Sequence, residues 1–353
     1  GFLYRFGGSG LSTMPTCQDS NGRAVFFHLV LLGALLVPVL PVWGAVHLTD
    51  ENGSGGTLFG AAMSELEDQN GDLRWEILVG APGYPNGGNH GAVHLWLGGT
   101  ELTTESDFVW TGVNQEQFGF SVARIGDVND DGTGDWAVGA PYSDEGGATK
   151  GKVYVFYGST DPGSITPVGL LGELGGDNFG YSLSAAGDFD GDGIDDFIVG
   201  APAIDSALPG RPGSAYVIFG QNGGVSTDLG DALKLFGEFS TDGFGWSVTD
   251  AGDFLGGEDC VAVGAPLNDS QAGLDAGAVY VFEGGNNPDS TPDHILTCGG
   301  TAAQSHYGFA VRGVGDWGGD GHTDIAVGAP TNSNGGLQAG RVEIIYGDDL
   351  GPS

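Results

Sequence analysis

The chain has 353 residues, of which 46 are Asp or Glu and only 10 are Lys or Arg, so its formal net charge is −36. A surface this acidic repels polyanions, which argues against nucleic acid and anionic membranes as partners and favours cations. The length allows one large domain or two ordinary ones, and 3 cysteines are too few for a disulfide framework.

The first feature along the chain is an apolar stretch over residues 24–42. It predicts an upstream segment and a secretory signal peptide within residues 1–44, with cleavage near Gly44 and a secreted or cell-surface product. A retained membrane anchor is the alternative, although Pro38 and Pro41 disfavour a spanning helix. The mature domain is not expected to insert into a membrane.

The remainder of the chain repeats a unit of about 60 residues. Aromatic-Gly pairs mark each unit, at Phe59-Gly60, Phe118-Gly119, Phe179-Gly180, Phe244-Gly245 and Tyr307-Gly308. Gly-Ala-Pro triplets follow in the same register, beginning at Gly80, Gly139, Gly200, Gly264 and Gly328. Repetition at this period indicates an array of equivalent units that bury their apolar faces against one another. We divide it into repeats 59–117, 118–178, 179–243, 244–306 and 307–353.

Each repeat is predicted to contain four strands, and the second repeat is a clear example. An alternating run follows its aromatic-Gly pair over residues 119–123, and a second run, 136–140, leads into the Gly-Ala-Pro turn. A third run covers residues 152–158, and a weaker one covers 168–172. Period-2 patterning bounded by turn residues is typical of an all-β protein. Radial repetition of four antiparallel strands predicts a β-propeller, with five blades visible.

The two ends of the array predict how the ring closes. The fifth repeat has a third strand near residues 341–345 but no recognisable fourth strand after it. Residues 45–58 lie before the first aromatic-Gly pair, where a fourth strand belongs. We therefore expect Ala45–Leu48 to pair with the third strand of the fifth repeat and close a five-bladed ring. A partial ring from a longer parent and an oligomeric assembly are the alternatives.

An acidic loop connects the first two predicted strands of each repeat. In the third repeat its predicted metal ligands are Asp188, Asp190, Asp192, Asp196 and the carbonyl oxygen of Ile194. Alternate residues of a tight loop can point inward, and Gly193 at the sixth position permits a sharp turn. Ca²⁺ prefers six to eight such oxygen ligands. The last ligand comes at the ninth position and strands flank the loop, so the pattern differs from an EF-hand and predicts a short β-hairpin calcium loop.

The other copies vary in quality. The second loop offers Asp127, Asn129, Asp131, Asp135 and the carbonyl oxygen of Thr133. The first offers Asp68, Asn70, Asp72 and Glu76, but Leu73 replaces the turn glycine and would strain the loop. The fifth offers Asp316, Asp320 and Asp324, while Gly318 removes one ligand. The fourth, residues 253–260, is one residue short and is expected to bind nothing.

Ordinary solvated Asp-Gly turns are the alternative interpretation of these loops, because such turns are common in hairpins. Several carboxylates within nine residues repel one another unless a cation lies among them. Four copies in register therefore favour metal binding.

The aromatic-Gly pairs, the D-x-[DN]-x-D loops and the five Gly-Ala-Pro turns together resemble the FG-GAP repeat, the unit of the integrin α-subunit N-terminal β-propeller. The resemblance covers residues 45–353. It implies Ca²⁺ in hairpin loops on one rim of the propeller, and extracellular recognition or adhesion through the opposite rim. Integrin propellers have seven blades whereas five are visible here, and no segment resembles the other integrin domains. Heterodimer formation is therefore not carried over.

The sequence contains no recognisable catalytic constellation. Its seven histidines form neither an HExxH nor an HxxEH pattern, and no GxSxG motif occurs. We therefore expect a secreted, non-catalytic, calcium-binding propeller that serves extracellular recognition or cell adhesion. Its partner would be a protein or glycan at the cell surface or in the matrix. A carbohydrate-binding or hydrolytic propeller that uses the central funnel is one alternative, and a structural module of a larger surface protein is another.

Overall fold

The computed structural model describes most of the repeat region and little of what precedes it. The described ranges are residues 56–85, 87–99, 103–146, 149–204, 210–269, 273–298, 303–333 and 338–347, together with residue 48 and four short strands before it. Residues Gly1–Leu48 form one unit and Thr49–Ser353 form another.

The first unit contains two pairs of two-residue strands. They are β1 (Cys17–Gln18) paired with β2 (Ala24–Val25), and β3 (Leu31–Leu32) paired with β4 (Leu35–Leu36). Apart from these strands, the predicted signal peptide and its cleavage site lie outside the described residues. Within the described part of the chain, no helix combines the length and apolarity needed to cross a bilayer.

The second unit consists of antiparallel sheets whose strands follow one another in chain order. The first sheet is β5 (Ala62–Leu66), β6 (Glu76–Ala81), β7 (Ala92–Trp96) and β8 (Phe108–Thr111); the second is β9 (Ser121–Gly126), β10 (Asp135–Ala140), β11 (Lys152–Phe156) and β12 (Val168–Leu171). The third is β13 (Ser182–Gly187), β14 (Asp196–Ala201), β15 (Ser214–Ile218) and β16 (Leu233–Phe236); the fourth is β17 (Ser247–Gly252), β18 (Cys260–Ala265), β19 (Ala278–Glu283) and β20 (His294–Thr297). The fifth is β21 (Ala310–Gly315), β22 (Asp324–Ala329) and β23 (Arg341–Ile345).

Two one-turn 3₁₀-helices, Pro162–Ser164 and Leu229–Asp231, lie in the connections that follow β11 and β15. The predicted all-β fold of repeated four-stranded antiparallel blades is thus confirmed. In the described part of the chain the fifth sheet has three strands.

The core lies between neighbouring sheets rather than inside any one of them. Every residue of β10, β14 and β18 is buried, because each of these strands has a sheet on both faces. One apolar layer joins Val153 and Phe179 to Phe197, and the next joins Ile198 to Val261. Apolar side chains on both faces of a strand are the pattern of a sheet covered on both sides. Cys260 and Cys298 are buried free thiols in a further apolar layer, which includes Val279 and Ile325.

The two sequence motifs meet where adjacent blades touch. Phe244 forms a parallel bridge to Gly213 of the preceding blade, while within its own blade the Gly245 N–H donates to the Gly264 carbonyl oxygen at 3.2 Å. A methyl group built on Gly200 would overlap the Gly245 carbonyl oxygen. The Gly-Ala-Pro glycine is therefore required by a close backbone approach rather than by a left-handed conformation.

The first strands of the five sheets surround a shared central cavity of about 330 Å³. Residues from β5, β9, β13, β17 and β21 all line it, which is the radial arrangement of a β-propeller. Ala45–Leu48, the predicted closing strand, lies outside the described residues except for Leu48. Closure of the ring by that strand stays a prediction.

Candidate metal centres

Each acidic loop connects the innermost strand of a blade to the second strand, so the five loops lie on one rim. In the third blade the ladder shifts register between Ala185 and Gly187, at the base of the loop. Asp196, the last predicted ligand, is also the first residue of β14 and is fully buried. The loop is therefore anchored in the blade core at its end, while Asp192 lies at the exposed tip.

Backbone amides hold the carboxylates of the third loop in place. The Gly193 N–H donates to Asp188 Oδ2 at 3.0 Å, and the Asp192 N–H donates to Asp190 Oδ1 at 3.1 Å. Asp196 accepts from the Phe189 N–H at 2.9 Å and from the Gly220 N–H at 2.7 Å. These bonds form an Asx-type turn that fixes the side chains without any ion pair.

The third loop leaves carboxylate oxygens facing one another. Oxygen atoms of Asp188, Asp190 and Asp196 all lie within 4.8 Å of one another. Asp188 Oδ1 is buried and accepts no hydrogen bond, although a buried carboxylate oxygen without a partner is costly. A hard divalent cation would satisfy that oxygen and relieve the repulsion among the three groups, so these residues fit Ca²⁺.

Burial also perturbs the ionisation of the last predicted ligand. It raises the pKa of Asp196 to about 7, the charge of Asp190 adds to the shift, and the hydrogen bond from Gly220 opposes it. Burial raises the pKa of Asp135 in the second loop to about 7 as well, with Asp131 and Asp127 contributing repulsion. A bound cation would hold both groups in their ionised form.

We therefore expect calcium binding to release protons below neutral pH. With a pKa of about 7 at Asp135 and Asp196, calcium must displace one proton from each site at pH 6 but almost none at pH 8. The apparent affinity should thus be about tenfold weaker at pH 6. Isothermal titration calorimetry in two buffers of different protonation enthalpy would count the protons, and equal affinities at pH 6 and pH 8 would contradict the expectation.

The same pKa shifts determine how the stability of the calcium-free protein changes with pH. The folded pKa of each group exceeds its ordinary value of 3.8, so the folded state retains these protons to higher pH than the unfolded state does. The free energy of unfolding should therefore fall as the pH rises from about 4 through about 7. Added calcium should be most stabilising above that range.

The second loop has the same backbone conformation but a different side-chain arrangement. Asp127 Oδ2 accepts from the Gly132 N–H at 2.7 Å, and Asp131 Oδ1 accepts from the Thr133 N–H at 2.9 Å. Asn129 donates its side-chain amide to Asp131 Oδ2 at 2.9 Å. That bond engages a carboxylate oxygen that a cation would otherwise use, and the three carboxylates of this loop do not converge as those of the third loop do.

The first loop does converge, through Asp68, Asp72 and Glu76. Leu73 adopts a φ of +66° at the turn position, and its side chain is 92% exposed. A left-handed conformation is unfavourable for leucine. The backbone is nevertheless held there because the Leu73 N–H donates to Asp68 Oδ2 at 2.6 Å.

The remaining two loops are less complete. In the fifth, Asp316 accepts from the Asp320 N–H at 3.1 Å, and Asp324 accepts from the Gly318 N–H at 2.7 Å, but Gly318 supplies no side-chain ligand. In the fourth, Asp253 Oδ1 accepts instead from the Thr323 N–H of the next blade at 2.9 Å. The expectation that the fourth loop binds nothing stays a prediction.

Two acidic residues outside the predicted ligand sets also take part in the loops. Asp195 Oδ2 accepts from the Asp127 N–H of the second loop at 2.8 Å, and Asp259 Oδ2 accepts from the Asp188 N–H of the third loop at 3.0 Å. Sequence reasoning missed both because the ligand pattern does not include the residue directly before the last position. The available signal was an acidic residue directly before the last position of two adjacent loops.

Comparison with known proteins agrees with this architecture. A family model described as the FG-GAP repeat matches residues 179–218, which include the third loop. The chain is 34% identical to integrin alpha-5 of Xenopus laevis over 217 residues, covering 60% of this chain and 20% of that protein. It is 38% identical to integrin alpha-3 of Cricetulus griseus over 155 residues, covering 41% of this chain and 14% of that protein.

A third relative, integrin alpha-PS3 of Drosophila melanogaster, is 32% identical over 161 residues, covering 43% of this chain and 14% of that protein. The chain thus spans about a fifth or less of the length of these relatives. These comparisons show that residues 179–218 match the FG-GAP repeat and that parts of the chain are similar to integrin alpha subunits.

Proposed function

We propose that this protein is a secreted, non-catalytic, calcium-binding β-propeller that serves extracellular recognition or cell adhesion. The observation that carries the calcium assignment is the third loop, where three carboxylates converge around the unpartnered Asp188 Oδ1. The similarity to integrin alpha subunits supports the adhesive role. Calcium would fix the hairpins of one rim and leave the opposite rim for a partner.

The opposite rim carries a feature suited to recognition. An aromatic band, defined as Phe120, Tyr181, Trp246 and Phe309, consists of the residues that directly follow four of the aromatic-Gly pairs. Successive ring centroids are 4.9, 5.2 and 5.4 Å apart. All four side chains are partly or largely exposed, although such rings are normally buried. A contiguous band of partly exposed aromatic rings favours a surface that binds a partner.

The negative charge of the chain favours a partner with basic side chains. Aromatic faces attract cations, and the surrounding chain has a net charge of −36. A protein ligand that inserts a Lys or Arg side chain at the aromatic band would gain from both effects. Arg and aromatic residues are also the groups that most often dominate binding energies at protein interfaces.

The test is surface plasmon resonance against a panel of extracellular-matrix proteins, a glycan array and a hydrolase substrate panel, each with calcium and with EDTA. We expect a protein ligand whose binding is lost in EDTA and weakened at least tenfold by Trp246→Ala. Trp317→Ala is the matched control, because Trp317 is 70% exposed on the fifth acidic loop, away from the aromatic band. Equal losses of affinity in the two variants would contradict binding at the aromatic band. Turnover of a hydrolase substrate would instead favour an enzyme.

A further inference from the structure

Neighbouring acidic loops are joined by hydrogen bonds that cross from blade to blade. Asp195, at the eighth position of the third loop, accepts from the backbone N–H of Asp127 at 2.8 Å. Asp259 directly precedes the last residue of the shorter fourth loop, as Asp195 does in the third, and accepts from the backbone N–H of Asp188 at 3.0 Å. In each case the donor is the first residue of the preceding loop, whose side chain is a predicted calcium ligand.

The backbone is shaped to admit these contacts. Gly126 and Gly187 stand directly before the two donor residues and have φ values of +81° and +66°. A methyl group on Gly126 would overlap the Asp195 carboxylate, and one on Gly187 would overlap the Asp259 carboxylate. Glycine is therefore needed both for the left-handed backbone and for the approach of the neighbouring carboxylate.

The contacts differ in the other pairs of loops. Thr323 occupies the eighth position of the fifth loop and donates its own N–H to Asp253 at 2.9 Å. Gly134 occupies that position in the second loop and has no side chain, and the Gln69 side chain donates to its carbonyl oxygen at 2.9 Å instead. Among the described residues, a carboxylate thus reaches back to the first loop position only where the receiving loop is the second or the third.

We propose that Asp195 and Asp259 are positioning residues, each of which orients the first calcium ligand of the preceding blade's loop. This inference rests on the proposed calcium binding. Asp195 acts on the second loop through Asp127, and Asp259 acts on the third loop through Asp188. Partners that hold metal ligands in position from the outer shell commonly change metal affinity by about 10- to 100-fold when they are removed.

Asp259 makes the cleaner test because its own loop is one residue short and is predicted to hold no calcium. An effect of Asp259 on calcium binding must then act on another loop. Asp195 adjoins Asp196, the last ligand of the third loop, so an effect on its own loop has to be measured separately.

Two glycine amides report on the two loops separately. The Gly132 N–H donates to Asp127 Oδ2 at 2.7 Å in the second loop, and the Gly193 N–H donates to Asp188 Oδ2 at 3.0 Å in the third.

The experiment follows the ¹⁵N-glycine amide signals of Gly132 and Gly193 during calcium titration of the full chain. We expect Asp259→Ala to weaken the affinity reported by Gly193 about tenfold and to leave that reported by Gly132 unchanged. Asp195→Ala should do the reverse. Asp130→Asn is the control, because Asp130 is an exposed acid of the second loop whose side chain contacts Asn222 rather than a loop backbone.

Asparagine variants at both positions keep an oxygen acceptor and should lose less than threefold, which also protects the test against a misfolded alanine variant. Affinities within twofold of the unmodified protein in both alanine variants would overturn the positioning role. Losses as large in the asparagine as in the alanine variants would overturn it too, since charge rather than the hydrogen bond would then be responsible. If the unmodified protein shows no calcium-induced shift at either glycine, the proposed calcium function fails instead.

Discussion

Chelation of calcium should lower the melting temperature of this protein by about 10 °C. A ligand that binds only the folded state stabilises it by about 2.7 kcal/mol when its concentration is a hundred times its dissociation constant. Two occupied loops would contribute roughly twice that value, and each kcal/mol shifts the melting temperature of a large domain by about 2 °C or somewhat more. Differential scanning calorimetry with calcium and with EDTA measures the shift directly.

Two variants test how much of this change in melting temperature comes from the third loop. Asp190→Ala removes one of its three converging carboxylates and should roughly halve the difference between calcium and EDTA. Asp161→Ala is the matched control, because Asp161 is an exposed acid on the same rim whose side chain caps nothing. Indistinguishable melts of the unmodified protein with and without chelator would contradict calcium binding.

Gly200→Ala should destabilise the folded protein by about 3 kcal/mol or more, a cost at the upper end of that for overpacking a core. The added methyl group would overlap both the Gly245 carbonyl oxygen and Ser182 Oγ. Because one of these atoms belongs to the next blade, relief requires two sheets to move apart. Urea denaturation monitored by tryptophan fluorescence gives the free energy of unfolding.

The fifth repeat supplies the matched control in the same motif. The atoms nearest to a methyl group on Gly328 all belong to Ala310, and the closest is its Cβ at 3.5 Å. That is ordinary van der Waals contact, so Gly328→Ala should change the stability by less than about 1 kcal/mol. Equal costs at Gly200 and Gly328 would contradict the blade packing described above.

The architecture was predictable because the motifs encode contacts that recur from one blade junction to the next. The Gly-Ala-Pro glycine and the aromatic-Gly pair meet at each blade junction, as Gly200 and Gly245 do, so their common period reports the spacing of the blades. Alternating patterns mark strands with one exposed face, such as β8 and β20, whereas continuous apolar runs mark strands covered on both faces, such as β14. The closing strand could not be tested, because Ala45–Val46–His47 lie outside the described residues.

The geometry of individual loops was less predictable. The second loop has the better ligand pattern and the turn glycine, yet the first loop brings its carboxylates together and the second does not. One reason is that Glu76 has a longer side chain than Asp135; another is that the Asn129 amide binds Asp131. Cross-blade bonds such as that of Asp195 to Asp127 arise from packing between residues far apart in sequence, so no local pattern announces them.

The number of calcium ions bound per chain tests the central claim most directly. Native mass spectrometry across a titration up to ~1 mM free calcium, the range of extracellular modules, counts these ions without any assumption about the partner. We predict at least two bound ions, one of which is lost in Asp190→Ala while Asp161→Ala retains both. A chain that stays free of calcium throughout the titration would contradict the assignment of the acidic loops as metal centres.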